Sequence, residues 1–206
     1  MARPRQFEEA AVLDAAVEHF WLFGYQAASV RELAASMGIT GASLYNAFGD
    51  KRALFRIALT RYVETNIEGR MRRFEQRSSS RKAIEAFFKD IVQYSLRDSD
   101  RKGCLLVNSA LGLDPDDAEL KEVVRDVFVE MEAFFERAIL AGQQTGEIPR
   151  TLSAPDVARL LLSAVLGIRV LARIQPDRPL LHGIVTAALS LLEHEGGRWD
   201  PPERAL

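Results

Sequence analysis

The 206-residue chain has a single cysteine, Cys104, so it can form no internal disulfide framework and suits a reducing compartment. It has no long apolar run. The most apolar stretch, Leu160–Ile168, is too short to span a bilayer and is bounded by Arg159 and Arg169. Met1–Gln6 carries Arg3 and Arg5, but Phe7 is followed by Glu8 and Glu9 rather than by an apolar core. No secretory leader is therefore expected, and the cytoplasm is the expected location. No segment alternates polar and apolar residues over a useful length, so sheet is not expected. Neither a glycine-rich phosphate loop nor a nucleophile elbow nor a triad-like arrangement is present. His19 falls in a different predicted helix from His182 and His194, and no Cys/His/Asp cluster has metal-ligand spacing. The expectation is a protein with no catalytic residues, no metal and no cofactor.

Charge of either sign is also scarce in net terms. The chain carries -2, which does not announce a nucleic-acid binder. Its distribution is more informative: residues 1–82 carry +4 and residues 83–206 carry -6. A mildly positive first third on an acidic remainder is compatible with DNA binding without establishing it. With 48% apolar and 27% charged residues, the chain has the composition of an ordinary folded domain.

Helical signals fill the rest. Val12, Leu13, Ala16, Phe20 and Phe23 recur at helical steps from Phe7, and Gly24 closes that helix. Ser29 reads as an N-cap for a short helix with Val30, Leu33, Ala34 and Met37 on one face, ended by Gly38. Thr40 caps a second short helix carrying Leu44, Tyr45 and Phe48; Gly49 breaks it, and Asp50 caps a long helix from Lys51 to about Arg77. Further helices are expected from about Arg81 to Leu96, Leu105 to Leu111, Asp117 to Ala141, Ala154 to just before Pro176, and Pro179 to His194. That makes nine helices, three in a small head and six in a body. The expected divisions are residues 1–52, 53–195 and a flexible tail, 196–206.

The segment from Val30 to Phe48 is the most informative. Two short helices that cross steeply need a small residue at the crossing, which Ala34 supplies, and a turn that tolerates positive φ, which Gly38 supplies. Val30, Leu33, Met37, Ile39 and Leu44 have the spacing to lock the crossing. The second helix then turns Thr40, Gly41, Ala42, Ser43, Tyr45 and Asn46 outward, short or hydrogen-bonding groups that suit a major groove. Residues 7–55, above all the run from Gly38 to Lys51 followed by Ala53-Leu54-Phe55, resemble the DNA-binding head of the TetR/AcrR regulators. The resemblance implies an all-α, two-domain architecture: a three-helix helix-turn-helix head on a six-helix body that binds an effector and dimerises. It implies that Lys51 meets a phosphate at a helix N-terminus, that the Tyr45 hydroxyl and Ser29 touch the DNA backbone, and that Arg31 reaches a base. Gly41, Ala42, Ser43 and Asn46 match the recognition face, and Arg3 and Arg5 match a minor-groove arm. Ala47 departs from the pattern, which often has a phosphate-touching histidine there. Ser29 can equally be only a cap, Tyr45 only packing, and the arm only a loose end.

In the body, the segment Ala154–Ile174 is apolar almost all round, so it must bury two faces: one in the core and one against another helix. With Leu180, Leu181, Ile184, Val185, Ala188, Leu189, Leu191 and Leu192 of the last helix it suits a two-fold, four-helix dimer interface, as the resemblance also implies. An effector pocket is expected from Phe87, Phe88, Ile91, Tyr94, Leu106, Val107, Phe128, Met131, Phe135, Leu162, Leu166 and Arg169. Arg169 within an apolar helix needs a partner, expected to be an acidic side chain rather than an anionic ligand. Cys104 follows Arg101-Lys102-Gly103 at a helix start, where its thiolate would be favoured, and is a candidate electrophile or redox sensor or else a small core residue. The expected function is a homodimeric, ligand-responsive DNA-binding repressor whose partners are double-stranded DNA, a second copy and a small effector. A helical binding or interaction module without DNA binding, and an activator, are the alternatives.

Overall fold

The computed structural model describes residues 5–75, 79–112, 114 and 117–193. Arg3, His194 and the tail from 196 lie outside them, as does the side chain of Arg5. Nine helices and no strand are found among the described residues: α1 (Arg5–Ala27), α2 (Val30–Ser36), α3 (Gly41–Phe48), α4 (Lys51–Val63, running through a π-helical turn Glu64–Glu68 into Gly69–Glu75), α5 (Ser80–Arg97), α6 (Leu105–Gly112), α7 (Ala118–Thr145), α8 (Ala154–Ile174) and α9 (Arg178–Ser190). The all-helical class expected from periodicity is what the chain adopts.

Local chemistry sets most boundaries. Gly24 breaks α1 at φ 78°, and one further turn follows to Ala27. Ser29 and Glu32 form a reciprocal capping box at the start of α2. Gly38 makes the turn into α3 at φ 67°. The Thr40 hydroxyl accepts the N–H of Ser43, and the Asp50 carboxylate accepts that of Ala53 at 2.7 Å. α7 runs one turn beyond the expected end at Ala141, to a left-handed Gly146. The stop is local: left-handed Gly146 caps the helix, the Glu147 N–H donates to the Gly142 carbonyl at 2.8 Å, and Ile148 packs back onto Gly142, where a Cβ would sit 2.6 Å from its terminal methyl.

The π-helical turn was not expected. Tyr62, Ile67, Met71 and Phe74 all point into the protein. Val63, four residues before Ile67, is buried as well, so the inward row passes through the π-helical turn at steps of four and three.

In the body, α5, α7 and α8 enclose an aromatic cluster. Phe87 lies 5.2 Å from Phe134 and 5.3 Å from Phe135, and Phe88 lies 5.9 Å from Phe135 between ring centres. The head joins this body along α1, which packs on α4 and α6. Trp21 of α1 meets Tyr62 of α4 edge-on at 4.8 Å and stacks on Tyr94 of α5 at 6.4 Å. A second tie is ionic: Arg52 of α4 grips Asp117 at the start of α7 through two hydrogen bonds, 2.8 and 3.0 Å, and also reaches Glu119.

Candidate functional site

On α3 the buried side is narrow. Leu44 is fully buried, with Gly41 and Phe48 partly so one turn to either side. Ala42, Ser43, Tyr45, Asn46 and Ala47 are exposed, and Tyr45 shows 53% of its surface. The outward face is therefore uncharged and short apart from one phenol. Tyr45, Asn46 and Arg31 make no hydrogen bond among the described residues, so their polar ends are available. Thr40 and Ser43 are less free, because their hydroxyls bond each other at 2.9 Å while Thr40 caps the helix.

Two of the expected phosphate contacts are otherwise engaged. The Ser29 N–H and hydroxyl both donate to the Glu32 carboxylate, at 3.2 and 2.5 Å. Those two bonds hold the Glu32 carboxyl below its usual range and keep it ionised, which places an anion where a phosphate would arrive. Lys51 lies under the end of α1. Its ammonium donates to the carbonyls of Tyr25 and Ala28 at 3.0 Å, approaches that of Gln26 at 3.5 Å, and sits 4.6 Å from the centre of the Tyr25 ring. A primary ammonium has three donors, so in this geometry Lys51 has none left for a phosphate. Its position at the start of α4 was legible; its partners, from a strained turn 25 residues upstream, were not.

Three cations along α4 are also paired: Arg52 and Arg56 reach Asp117 and Glu119 at the start of α7, and Arg61 pairs with Asp14.

In the body, Tyr62, Ile67, Arg70, Phe87, Ile91, Cys104, Leu106, Val107, Phe128, Met131, Val165, Leu166 and Arg169 line one internal cavity. About 420 Å³ there, its open mouth included, is not filled by atoms, but a water-sized body has only about 30 Å³ in which its centre can move. That is room for a water or two, so an organic ligand is admitted only if the walls move. Phe87, Ile91, Leu106, Val107, Phe128, Met131, Leu166 and Arg169 are where the sequence placed them. Tyr94, Phe88, Phe135 and Leu162 are not in this wall. Phe88 and Phe135 belong to the aromatic cluster, Tyr94 is stacked against Trp21, and Leu162 faces a surface hollow beside Val129. The wall residues missed from α4 are Tyr62, Ile67 and Arg70, which share its inward side.

Arg169 is only 5% exposed and, against expectation, pairs with no carboxylate among the described residues. It donates to the Ser95 hydroxyl at 2.8 Å and to the Gly103 carbonyl, with its guanidinium carbon 5.1 Å from the Tyr94 ring. The carboxylates on neighbouring elements are already engaged: Asp90 by Arg70 and Arg73, Asp98 by the Gly103 N–H. Cys104 is buried in the same wall, and its sulfur accepts the Tyr62 hydroxyl at 3.5 Å. Burial, followed by the neighbouring Cys104, pushes the Tyr62 phenol well above its usual value, so it remains a donor. Lys102 turns away from the cysteine, over the Trp21 ring and onto Glu18 at 2.6 Å.

On the outside, Leu160, Ala164, Gly167, Leu171 and Ile174 follow one another along α8 at steps of four and three. Leu160, Leu171 and Ile174 are exposed, Ile174 to 75%. The outward side of α9 is built of His182, Gly183, Thr186, Ala187 and Ser190. Among the described residues no group of His, Cys, Asp or Glu could hold a metal ion, and no helix is long and apolar enough to cross a membrane.

Comparison with known proteins adds to this geometry. Residues 12–57 match the family model described as bacterial regulatory proteins, tetR family, and residues 81–188 match that of the tetracyclin repressor-like C-terminal domain. The chain is 33% identical to the HTH-type transcriptional regulator YezE of Bacillus subtilis, over 94% of this chain and all of that protein. It is 27% identical to the HTH-type transcriptional repressor ComR of Escherichia coli, over 83% of this chain and 82% of that one. Among solved structures, a cysteine-substituted TetR family regulator, CifR, complexed with 26-bp double-strand operator DNA superposes with a TM-score of 0.82 at 27% identity, covering 93% of this chain and all of that one.

Proposed function

The chain belongs to the tetR family of bacterial regulatory proteins, and on that premise we propose that it is a dimeric, effector-responsive repressor that reads DNA with α3. The observation that carries this reading is the division of α3 into one buried anchor, Leu44, and an exposed, uncharged face of Ala42, Ser43, Tyr45 and Asn46. A helix that presents short neutral groups can approach base edges without the desolvation cost of charged side chains. The CifR complex and the repressor ComR support the direction of the effect.

Within this reading the head comprises residues 1–52 and the body 53–195. Ser43 and Asn46 address bases; Tyr45, Arg31 and the first-turn N–H groups of α4 that Asp50 leaves free address the DNA backbone. Lys51 acts as a positioning residue that holds α1 on the start of α4. Arg5 completes a minor-groove arm. The exposed stripe of α8 and the small outward residues of α9 pair with the same helices of a second copy, so Leu171→Glu would give monomers in analytical ultracentrifugation. The protein works where its DNA is, in the cytoplasm, and carries no catalytic step. Cys104, set in the cavity wall, makes the thiol a secondary point of response to electrophiles that enter the cavity. An unchanged electrophile response in Cys104→Ser would remove that role.

The test is fluorescence anisotropy with the duplex upstream of the protein's own coding region, over a series of salt concentrations. Affinity that falls with salt, and a changed sequence preference in Ser43→Ala and Asn46→Ala, are expected. No salt-sensitive affinity for any duplex would overturn the proposal.

A further inference from the structure

The most unusual group in the body is Arg169. A guanidinium taken out of water costs several kcal/mol unless it is matched by an opposite charge or a full set of acceptors. Here it has a hydroxyl, one carbonyl and the face of Tyr94. Arg70 also lies against that ring, its guanidinium carbon 5.3 Å from the ring centre, and also lines the cavity. Arg70 is matched by Asp90, which it shares with Arg73. Arg169, the more deeply buried of the two cavity guanidiniums, has no carboxylate among the described residues.

We propose that the effector of this cavity is a small organic anion with an apolar body, whose carboxylate is received by Arg169. The proposal rests on the reading of the body as an effector domain and adds the charge class of its ligand. The apolar wall of Phe87, Ile91 and Phe128 takes the body of the ligand, and the guanidinium takes its charge in a bidentate pair. Admission has a built-in consequence. The Gly103 carbonyl accepts both from Arg169 of α8 and from the Trp21 indole N–H of α1, at 3.2 Å for the latter. A carboxylate that draws Arg169 into the cavity removes one of the two donors from that oxygen and loosens the loop to which the head helix is fastened. An anion in the body is thereby coupled to the placement of α1, and through it to α3.

The experiment uses the full-length protein and matched probes: butyrate, hexanoate and benzoate, each against its uncharged amide, by isothermal titration calorimetry. At least one carboxylate is expected to bind about ten-fold or more tighter than its amide. Arg169→Gln should abolish that preference, and Arg169→Lys should keep part of it. In a Trp199→Phe background, where Trp21 is the only tryptophan, the bound acid should change the indole emission and its amide should not. If Arg169→Gln does not fold, acid-over-amide preference together with the Trp21 signal decides the matter. Equal binding of acid and amide, a preference that survives Arg169→Gln, a silent Trp21, or no carboxylate binding below about 10 mM would each overturn the proposal. DNA affinity without acid is measured in parallel. Its absence would count against the regulator reading, and acid binding alone bears on this inference.

Discussion

The head and the body are held together by different means. In the head, α2 and α3 are seven and eight residues long, and each has little to bury: Leu33 and Ala34 on one, Leu44 on the other. Side-chain caps at Ser29, Thr40 and Asp50 supply much of what burial does not. In the body, helices are capped as well, by Ser79, Asp117 and Asp177, but the longest also pack around an aromatic cluster carried by α5 and α7. The difference follows from use. A helix that offers one side to DNA cannot hide that side in a core, so it is defined by its ends. A helix that surrounds a cavity is defined by its middle.

Substitutions test that contrast most strongly in the body. Phe135→Ala, at a fully buried ring touching Phe87, Phe88 and Phe134, should cost about 3–5 kcal/mol. Because α1 is fastened to the body through Trp21, urea unfolding followed by tryptophan emission and by circular dichroism should shift together. Separate midpoints would mean that head and body melt independently, and the contrast would then be between two folding units. Leu44→Ala should cost about 2–5 kcal/mol, and its effect should fall on the head, with DNA affinity lost while the helical content of the body stays. Thr40→Ala should cost roughly 1 kcal/mol and weaken DNA binding several-fold, since the cap also orients Ser43. If it were silent, α3 would be defined by its packing rather than by its ends.

The smallest effect concerns the joint between the two regions. Hydrogen bonds from Arg52 hold the Asp117 carboxyl below its usual range. A depressed carboxylate contributes stability above its unfolded value and loses it as pH falls through the folded one. The Arg52–Asp117 grip should therefore be intact at neutral pH and released only in acid, below the ordinary aspartate range. Arg52→Gln should flatten that acid limb in a circular-dichroism titration and leave the neutral baseline nearly unchanged, because the pair is exposed to solvent.

How much of this was legible in the sequence follows the same division. The head could be read residue by residue because caps, positive-φ glycines and short apolar faces act over three or four residues: Ser29, Gly38, Thr40, Gly49 and Asp50 all do what their local chemistry suggests. The acceptors that hold Lys51 were not legible, because they come from Tyr25, Gln26 and Ala28, at and just past the end of α1. In the body, periodicity placed the helices but not which of their inward residues face the cavity and which face each other. Phe87 and Phe135 carry the same local signal, yet Phe135 sits wholly in the cluster while Phe87 also reaches the cavity. The acid expected for Arg169 was a local inference about charge, and the fold answered it with a main-chain oxygen. Gly146, one turn past the expected end of α7, was the local stop signal that the expectation missed.

That oxygen belongs to Gly103, where φ is 71° and an added Cβ would lie 3.4 Å from Arg173. No amino-acid exchange can delete a carbonyl, and at this position few exchanges are tolerated at all. Genetic drift can reach the junction only through its donors, one tryptophan and one arginine on separate helices. A protein engineer wishing to retune it would have the same two handles, and could turn each without disturbing the acceptor they share.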